Sequence, residues 1–192
     1  MTAPEDSQTR RNLLATFAGE CQAATRYAYY AKQAGKEGQD LIRSVFLQIA
    51  EQERVHAKRF LAHLGGAGGE VVVHVNGAAL GSVLENLRAA VTEEAAVSRL
   101  VYPGYAKTAR EEGLAEIALL YEHIAKAEAR HAARLSALFA HLSAGTLHSR
   151  TEPTLWYCRH CGWTTQGLEA PERCPACAHH KGYFQAAPDL DG

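Results

Sequence analysis

Four long amphipathic segments of this chain each interrupt an apolar stripe with a glutamate. The stripes follow 3-4 spacing, the mark of a helix with one buried face. In the first the stripe runs Leu13, Phe17, Glu20, Ala24, Tyr27, and in the second Ile49, Glu53, His56, Phe60. In the third it runs Leu87, Val91, Glu94, and in the fourth Ile124, Glu128, His131, Leu135. Burying one isolated carboxylate costs roughly several kcal/mol even after relaxation. Four at equivalent depth would also repel one another. A chain patterned this way needs cations among its carboxylates to close a core.

The Glu-x-x-His pairs sharpen the argument. With 17 Glu and 10 His in 192 positions, chance alone gives roughly one such pair. Two are present, Glu53/His56 and Glu128/His131, so phase must decide. Residues i and i+3 point the same way on a helix, and both pairs lie on the apolar stripe. Each follows a stripe glutamate at nearly the same distance, Glu20 ahead of Glu53 and Glu94 ahead of Glu128. The chain therefore reads as a repeated helix pair, Glu then Glu-x-x-His, twice. That is the donor set of a ferritin-like di-metal carboxylate bundle. Carboxylate oxygens with one imidazole per metal suit Fe or Mn. Glu53 and Glu128 are expected to bridge the two metals. Glu20 with His56, and Glu94 with His131, are expected as terminal ligands, with the assignment of each terminal Glu left open. Tyr27 and Tyr102 each lie two turns beyond a stripe glutamate. They read equally well as core aromatics or as hydrogen-bond partners of a ligand carboxylate. The other eight histidines lack a matching set and read mostly as surface residues. Cys21 reads as a small buried thiol.

The spacing predicts helices over about 7–34, 39–64, 80–101 and 114–143, with a short one at 104–112. Gly35, Gly65-Gly66, Gly113 and Gly145 are the expected stops. Tyr102-Pro103 is expected to break the third helix, because proline donates no N–H. Residues 65–79, GGAGGEVVVHVNGAA, form a connection too long for a hairpin and fit a crossover between parallel neighbours. The VVVHV run within it reads as extended and packed along the bundle.

Near position 145 the composition changes. Residues 1–145 read as the bundle, and 146–192 as a linker plus a small four-cysteine domain. Cys158-x-x-Cys161 and Cys174-x-x-Cys177 are two knuckles separated by the stretch Gly162–Arg173. Such a pair makes a tetrahedral four-thiolate site for Zn or Fe. Gly162 permits the positive φ that turns backbone amides toward sulfur. Trp156, Tyr157, Trp163, Tyr183 and Phe184 supply a small aromatic core. About thirty residues cannot bury enough surface to fold alone, so the metal is the staple. Zinc is the commoner occupant of such modules, and overexpression can load it into either site. A redox-active iron is the more useful neighbour for a site that needs electrons.

The formal net charge of −1 argues against nucleic acid or an anionic membrane as partner. No apolar run approaches the roughly 18 residues of a membrane span. The polar opening MTAPEDSQTRR has no secretory h-region, so the expected location is cytoplasmic.

The residues around Glu20, IAEQERVH, Glu94 ahead of LVYPGYAKTAREEG, IAKAEARH and the tail YCRHCGW…CPAC resemble the rubrerythrins over essentially the whole chain. The resemblance implies an all-α ferritin-like four-helix bundle with a rubredoxin-like tail. It implies two Fe ions in the bundle and one in the four-cysteine site. The implied activity is a non-haem peroxidase that reduces hydrogen peroxide to water in oxidative-stress defence. Electrons would come through the rubredoxin-like centre from a separate NAD(P)H-linked reductase or rubredoxin, within a homodimer. The chain has no G-x-G-x-x-G nucleotide fingerprint of its own. One position departs from the family pattern. Rubrerythrins usually carry a further glutamate three residues after the third-helix ligand, and Val97 stands there. That departure keeps an O2-dependent ferroxidase or iron-handling protein as the alternative, with a zinc-bearing scaffold as a third reading.

Overall fold

The computed structural model describes residues 2–66, 68–73, 75 and 80–187. The elements are α1 (Gln8–Lys36), α2 (Asp40–Ala62), α3 (Val83–Ala96), a π-helical turn (Val97–Val101), α4 (Tyr102–Glu111) and α5 (Ala115–Ser143). The tail adds β1 (Ser149–Cys158), β2 (Thr164–Glu169), a 3-10 turn (Lys181–Tyr183) and β3 (Phe184–Ala186).

Local chemistry sets the helix ends. The Ser7 hydroxyl accepts from the Arg10 N–H and starts α1. Ser82 and Glu85 form a reciprocal capping box that starts α3. α1 runs past Gly35, the expected stop, and the chain reverses at Gly38, with φ +71°. Gly35 stays helical because α2 crosses close by: a Cβ there would lie 3.1 Å from the Arg43 side chain.

The short turn after α1 folds α1 and α2 into an antiparallel hairpin, and α3, α4 and α5 form the second. The hairpins meet through α1 against α3 and α4, and through α2 against α5. α2 and α3 are not packed side by side. The long connection therefore joins helices across the bundle, and the expectation of parallel neighbours is corrected. His74 and residues 76–79 of that connection lie outside the described residues. Val71 and Val73 are half-buried and Val72 is exposed, in no regular element.

Pro103 does not break the helix. The chain widens into a π turn over Val97–Val101, closed by the Tyr102 N–H on the Val97 carbonyl, and Pro103 falls in the first turn of α4. The N–H that Pro103 lacks falls where the ladder changes from π to α spacing, so the helix runs through it. The widening has a second effect. Eight α-helical residues from Glu94 to Tyr102 would rotate the side chain roughly 80° out of line. One extra residue taken up by the π turn brings Tyr102 back to the face of Glu94.

The apolar interior is split in two. One cluster holds Tyr27, Tyr30, Phe46, Ile49, Leu87 and Leu135, and the other holds Leu13, Phe60, Tyr102, Ile117, Tyr121 and Ile124. On every helix the stripe carboxylate falls in sequence between the two clusters. Each fully buried aromatic or aliphatic side chain contributes about 1.5–3 kcal/mol. The polar layer is thus held between two apolar plugs.

In the tail, β1 is the central strand of the order β2-β1-β3, both pairings antiparallel. Trp156 and Phe184 are fully buried beside Cys158 and Cys174. The tail rests on the start of α2: His180 Nε2 lies 3.0 Å from Asp40 Oδ2, and Arg159 Nη1 donates to the Asp40 carbonyl at 3.2 Å.

Candidate metal centres

Six side chains meet in the layer between the apolar clusters. Glu53 and Glu128 are 1% exposed, Glu20 and Glu94 4%, His131 6% and His56 9%. Their donor atoms form two groups, Glu20/Glu53/His56/Glu128 and Glu53/Glu94/Glu128/His131, each within 4.8 Å. Glu53 and Glu128 belong to both groups. Both imidazoles turn Nδ1 inward. His56 Nδ1 lies 3.2 Å from Glu53 and 2.9 Å from Glu128, and His131 Nδ1 lies 2.8 Å from Glu128 and 3.1 Å from Glu53.

The tyrosines cross over. Tyr27, on the helix of Glu20, donates to Glu94, and Tyr102, next to the helix of Glu94, donates to Glu20. Burial first, then the neighbouring carboxylates, pushes both phenols well above the usual tyrosine range, so both stay donors.

The donor set fits two divalent cations. Oε1 of Glu53 and Oε1 of Glu128 are buried without a hydrogen-bond partner. The imidazole nitrogens near them are close but off the hydrogen-bonding direction. Buried carboxylate oxygens of this kind call for a charged partner. By themselves the six groups compete for protons. Burial raises Glu20 well above the carboxylate range and lifts Glu94 to about 8. Burial would also raise Glu53, but its close contacts with the His131 and His56 imidazoles hold it at about 2. Burial would lower His56 and His131, but Glu128 and Glu53 raise them to about 9 and about 11. Dications replace those protons, as metal binding at carboxylate and imidazole donors generally does.

Several participants were invisible in the sequence. Gln52 Oε1 lies 3.1 Å from His131 Nε2, which leaves the Nδ1 lone pair facing the layer. Arg26 pairs with Glu93 at the rim. Both contacts depend on how separate helices pack, and no local spacing announces them. Cys21 is exposed, against expectation, because the residue after a stripe glutamate turns outward. His63 is buried and His148 half-buried, so neither is a surface residue. Burial, and then Lys181, lowers His148 to about 4.

The four clustered cysteines form the second centre. Cys158 and Cys177 sulfurs lie 3.8 Å apart, and Cys161 and Cys174 sulfurs 3.6 Å apart. The knuckles repeat each other. Gly162 N–H donates to the Cys158 carbonyl at 2.9 Å, and Ala178 N–H to the Cys174 carbonyl at 2.8 Å. Gly162 takes φ +82° as expected, and Ala178 takes φ +61° at the equivalent place. Burial would raise the Cys174 thiol, yet the amides of Cys177 and Ala176 and the facing thiols bring it to about 7. Four inward sulfurs with amide donors fit a tetrahedral metal.

Among the described residues no helix is long and apolar enough to cross a membrane. A family model described as rubrerythrin matches residues 11–139 and 85–154, and one for the rubrerythrin rubredoxin-like domain matches 156–185. Rubrerythrin of Porphyromonas gingivalis is 46% identical over 93% of this chain and 90% of that protein. Rubrerythrin of Nitratidesulfovibrio vulgaris is 40% identical over 96% and 97%. The solved structure of mixed-valence nigerythrin superposes with a TM-score of 0.64 at 27% identity, covering 96% and 92%. Symerythrin from Cyanophora paradoxa, at 22% identity and a TM-score of 0.63, shares the fold of the helical part. Both halves match in the same order along one chain, and the chain belongs to the rubrerythrin family, di-iron proteins with a carboxylate–histidine site and a rubredoxin-like four-cysteine site.

Proposed function

We propose that this di-iron oxidoreductase is a peroxidase that reduces hydrogen peroxide to water. The observation that carries the reading is the pair of donor groups sharing Glu53 and Glu128 beneath a cavity, in the same chain as a four-thiolate site. Iron bound there supplies the two electrons that break the O–O bond. Glu53 and Glu128, members of both donor groups, would be shared between the two irons, Glu20 and His56 would help hold one, and Glu94 and His131 the other. Tyr102 and Tyr27 hold the terminal carboxylates in place by donating to them. The apolar clusters flank the layer along the bundle and lower the dielectric around it, which strengthens the charge interactions within it.

Cys158, Cys161, Cys174 and Cys177 would hold one iron, which would supply one-electron transfer to the bundle from a separate NAD(P)H-linked reductase or a rubredoxin. A homodimer is part of the proposal. A groove of about 640 Å³ between α2, α5 and this chain's own tail reaches His56 and His131 and is lined by Arg130, Arg134, Arg150 and Gln185. Cys161→Ser is expected to abolish steady-state NAD(P)H-linked turnover while chemically reduced protein still completes one round of peroxide reduction. Normal steady-state turnover in that variant contradicts the relay.

One observation favours a second reading, O2-dependent ferroxidase or iron handling. Val97 lines the cavity above the layer and offers no carboxylate there. Sustained oxidation of excess Fe(II) with retained iron supports that reading, and a fixed capacity of two irons in the bundle opposes it.

A further inference from the structure

The cavity over the carboxylate layer includes the room that two cations among Glu20, Glu53, Glu94 and Glu128 would fill, and it extends well beyond that to Ala15, Val73 and Val101. Its volume is about 330 Å³. A water molecule takes up about 30 Å³ of liquid, and a cavity of about 150 Å³ holds benzene. The floor is polar, made by Glu20, Glu53, Glu94, Glu128 and the two phenols. The walls are mostly apolar, with Ala15 and Ala23 from α1, Val97 and Val101 from the π turn and Val73 from the long connection, and they also carry Gln22 and Glu93. Gly19 lies on the same wall, in the middle of α1 and exposed. A Cβ at Gly19 would meet nothing within 4 Å, so packing does not require glycine there. A mid-helix glycine costs about 1 kcal/mol against alanine. What its missing side chain provides is an open wall.

A largely apolar chamber of this size above a redox floor suits a substrate with a hydrocarbon body and one reactive polar end. We propose that the cavity takes an alkyl hydroperoxide, its hydrocarbon group against Val97, Val101 and Ala23 and its hydroperoxy group toward Glu53 and Glu128. This rests on the peroxidase reading and narrows its substrate. The O–O bond breaks, taking up two electrons from the reduced bundle site and two protons from the buffered solvent. The products are the alcohol and one water. The electron donor named for the peroxidase restores the site.

The test uses the iron-loaded full chain with cumene hydroperoxide, hydrogen peroxide and the unreactive product 2-phenyl-2-propanol. Calorimetry reads binding of the alcohol to the resting protein, independent of turnover. Steady-state kinetics reads kcat/KM for each peroxide. Gly19→Leu narrows the mouth with a better helix former, Val97→Phe fills the chamber, and thermal melts check that both fold. The expected result is alcohol binding that weakens at least about tenfold in both variants. The ratio of kcat/KM for cumene hydroperoxide over hydrogen peroxide should fall by a similar factor. Hydrogen peroxide turnover with neither alcohol binding nor cumene hydroperoxide turnover overturns this proposal alone. Binding and selectivity unchanged in both folded variants overturns the cavity as the site. Turnover of neither peroxide overturns the peroxidase reading, and this proposal with it.

Discussion

At the residue scale, the layer works through asymmetries that side-chain type alone does not reveal. His131 has Gln52 behind it, 3.1 Å from Nε2. Such partners fix the tautomer and raise ligand basicity. Gln52→Ala is therefore expected to weaken iron binding in the bundle about 10- to 100-fold with the helices intact. A competition titration against a chelator reads it, and unchanged affinity would show that Nδ1 needs no such support. The four glutamates and two histidines were legible in the sequence because a charged residue on an apolar stripe is anomalous wherever it occurs. Gln52 was not, because an amide beside Glu53 is unremarkable until α5 brings His131 to it. Cys21 misled for a related reason: its own chemistry says buried, and only the helix phase says exposed.

The π turn carries the argument at the element scale. Val97–Val101 takes up one extra residue and returns Tyr102 to the interior, where it donates to Glu20. Leu100, 73% exposed in that turn, makes no large contribution to the core. Inserting one alanine after Leu100, beyond the residue the turn already takes up, is expected to turn Tyr102 away by about 100°. Helix content by circular dichroism should persist while bundle iron falls below two per chain. Full iron binding in a folded insertion variant would separate the register set by the π turn from the metal centre. The sequence could not disclose this element, since Pro103 reads locally as a break. The four long helices and the Gly162 turn were legible because stripe period and knuckle spacing are local patterns. The way α2 meets α5, and not α3, is a tertiary outcome.

On the scale of the whole molecule, metal, fold and pH are linked through one layer. In metal-free protein His56 and His131 titrate at about 9 and about 11, above the ordinary 6.5. The folded chain then binds more protons than the unfolded chain above pH 6.5, so stability falls as pH rises from there toward 9. Glu94, lifted to about 8, acts in the same direction from 4.5 upward. Glu53, held at about 2, acts oppositely: its contribution is present above 4.5 and fades as pH falls toward 2. The melting temperature of metal-free protein should therefore drop between pH 6.5 and 9, and that of iron-loaded protein should not. Parallel profiles would mean that the layer does not exchange protons for metal. The order of the two halves was legible from the change in composition near position 145, whereas the rest of the tail on Asp40 was not. It depends on His180 and Arg159 reaching a helix far earlier in the chain.

The most direct measurement is anaerobic stopped-flow on iron-loaded, fully reduced protein, mixed separately with hydrogen peroxide and with O2. The peroxidase reading predicts rapid oxidation of the bundle by peroxide, then appearance of the red four-thiolate iron chromophore, with O2 much slower. Faster reaction with O2 than with peroxide would contradict it and make the protein an oxidase or ferroxidase.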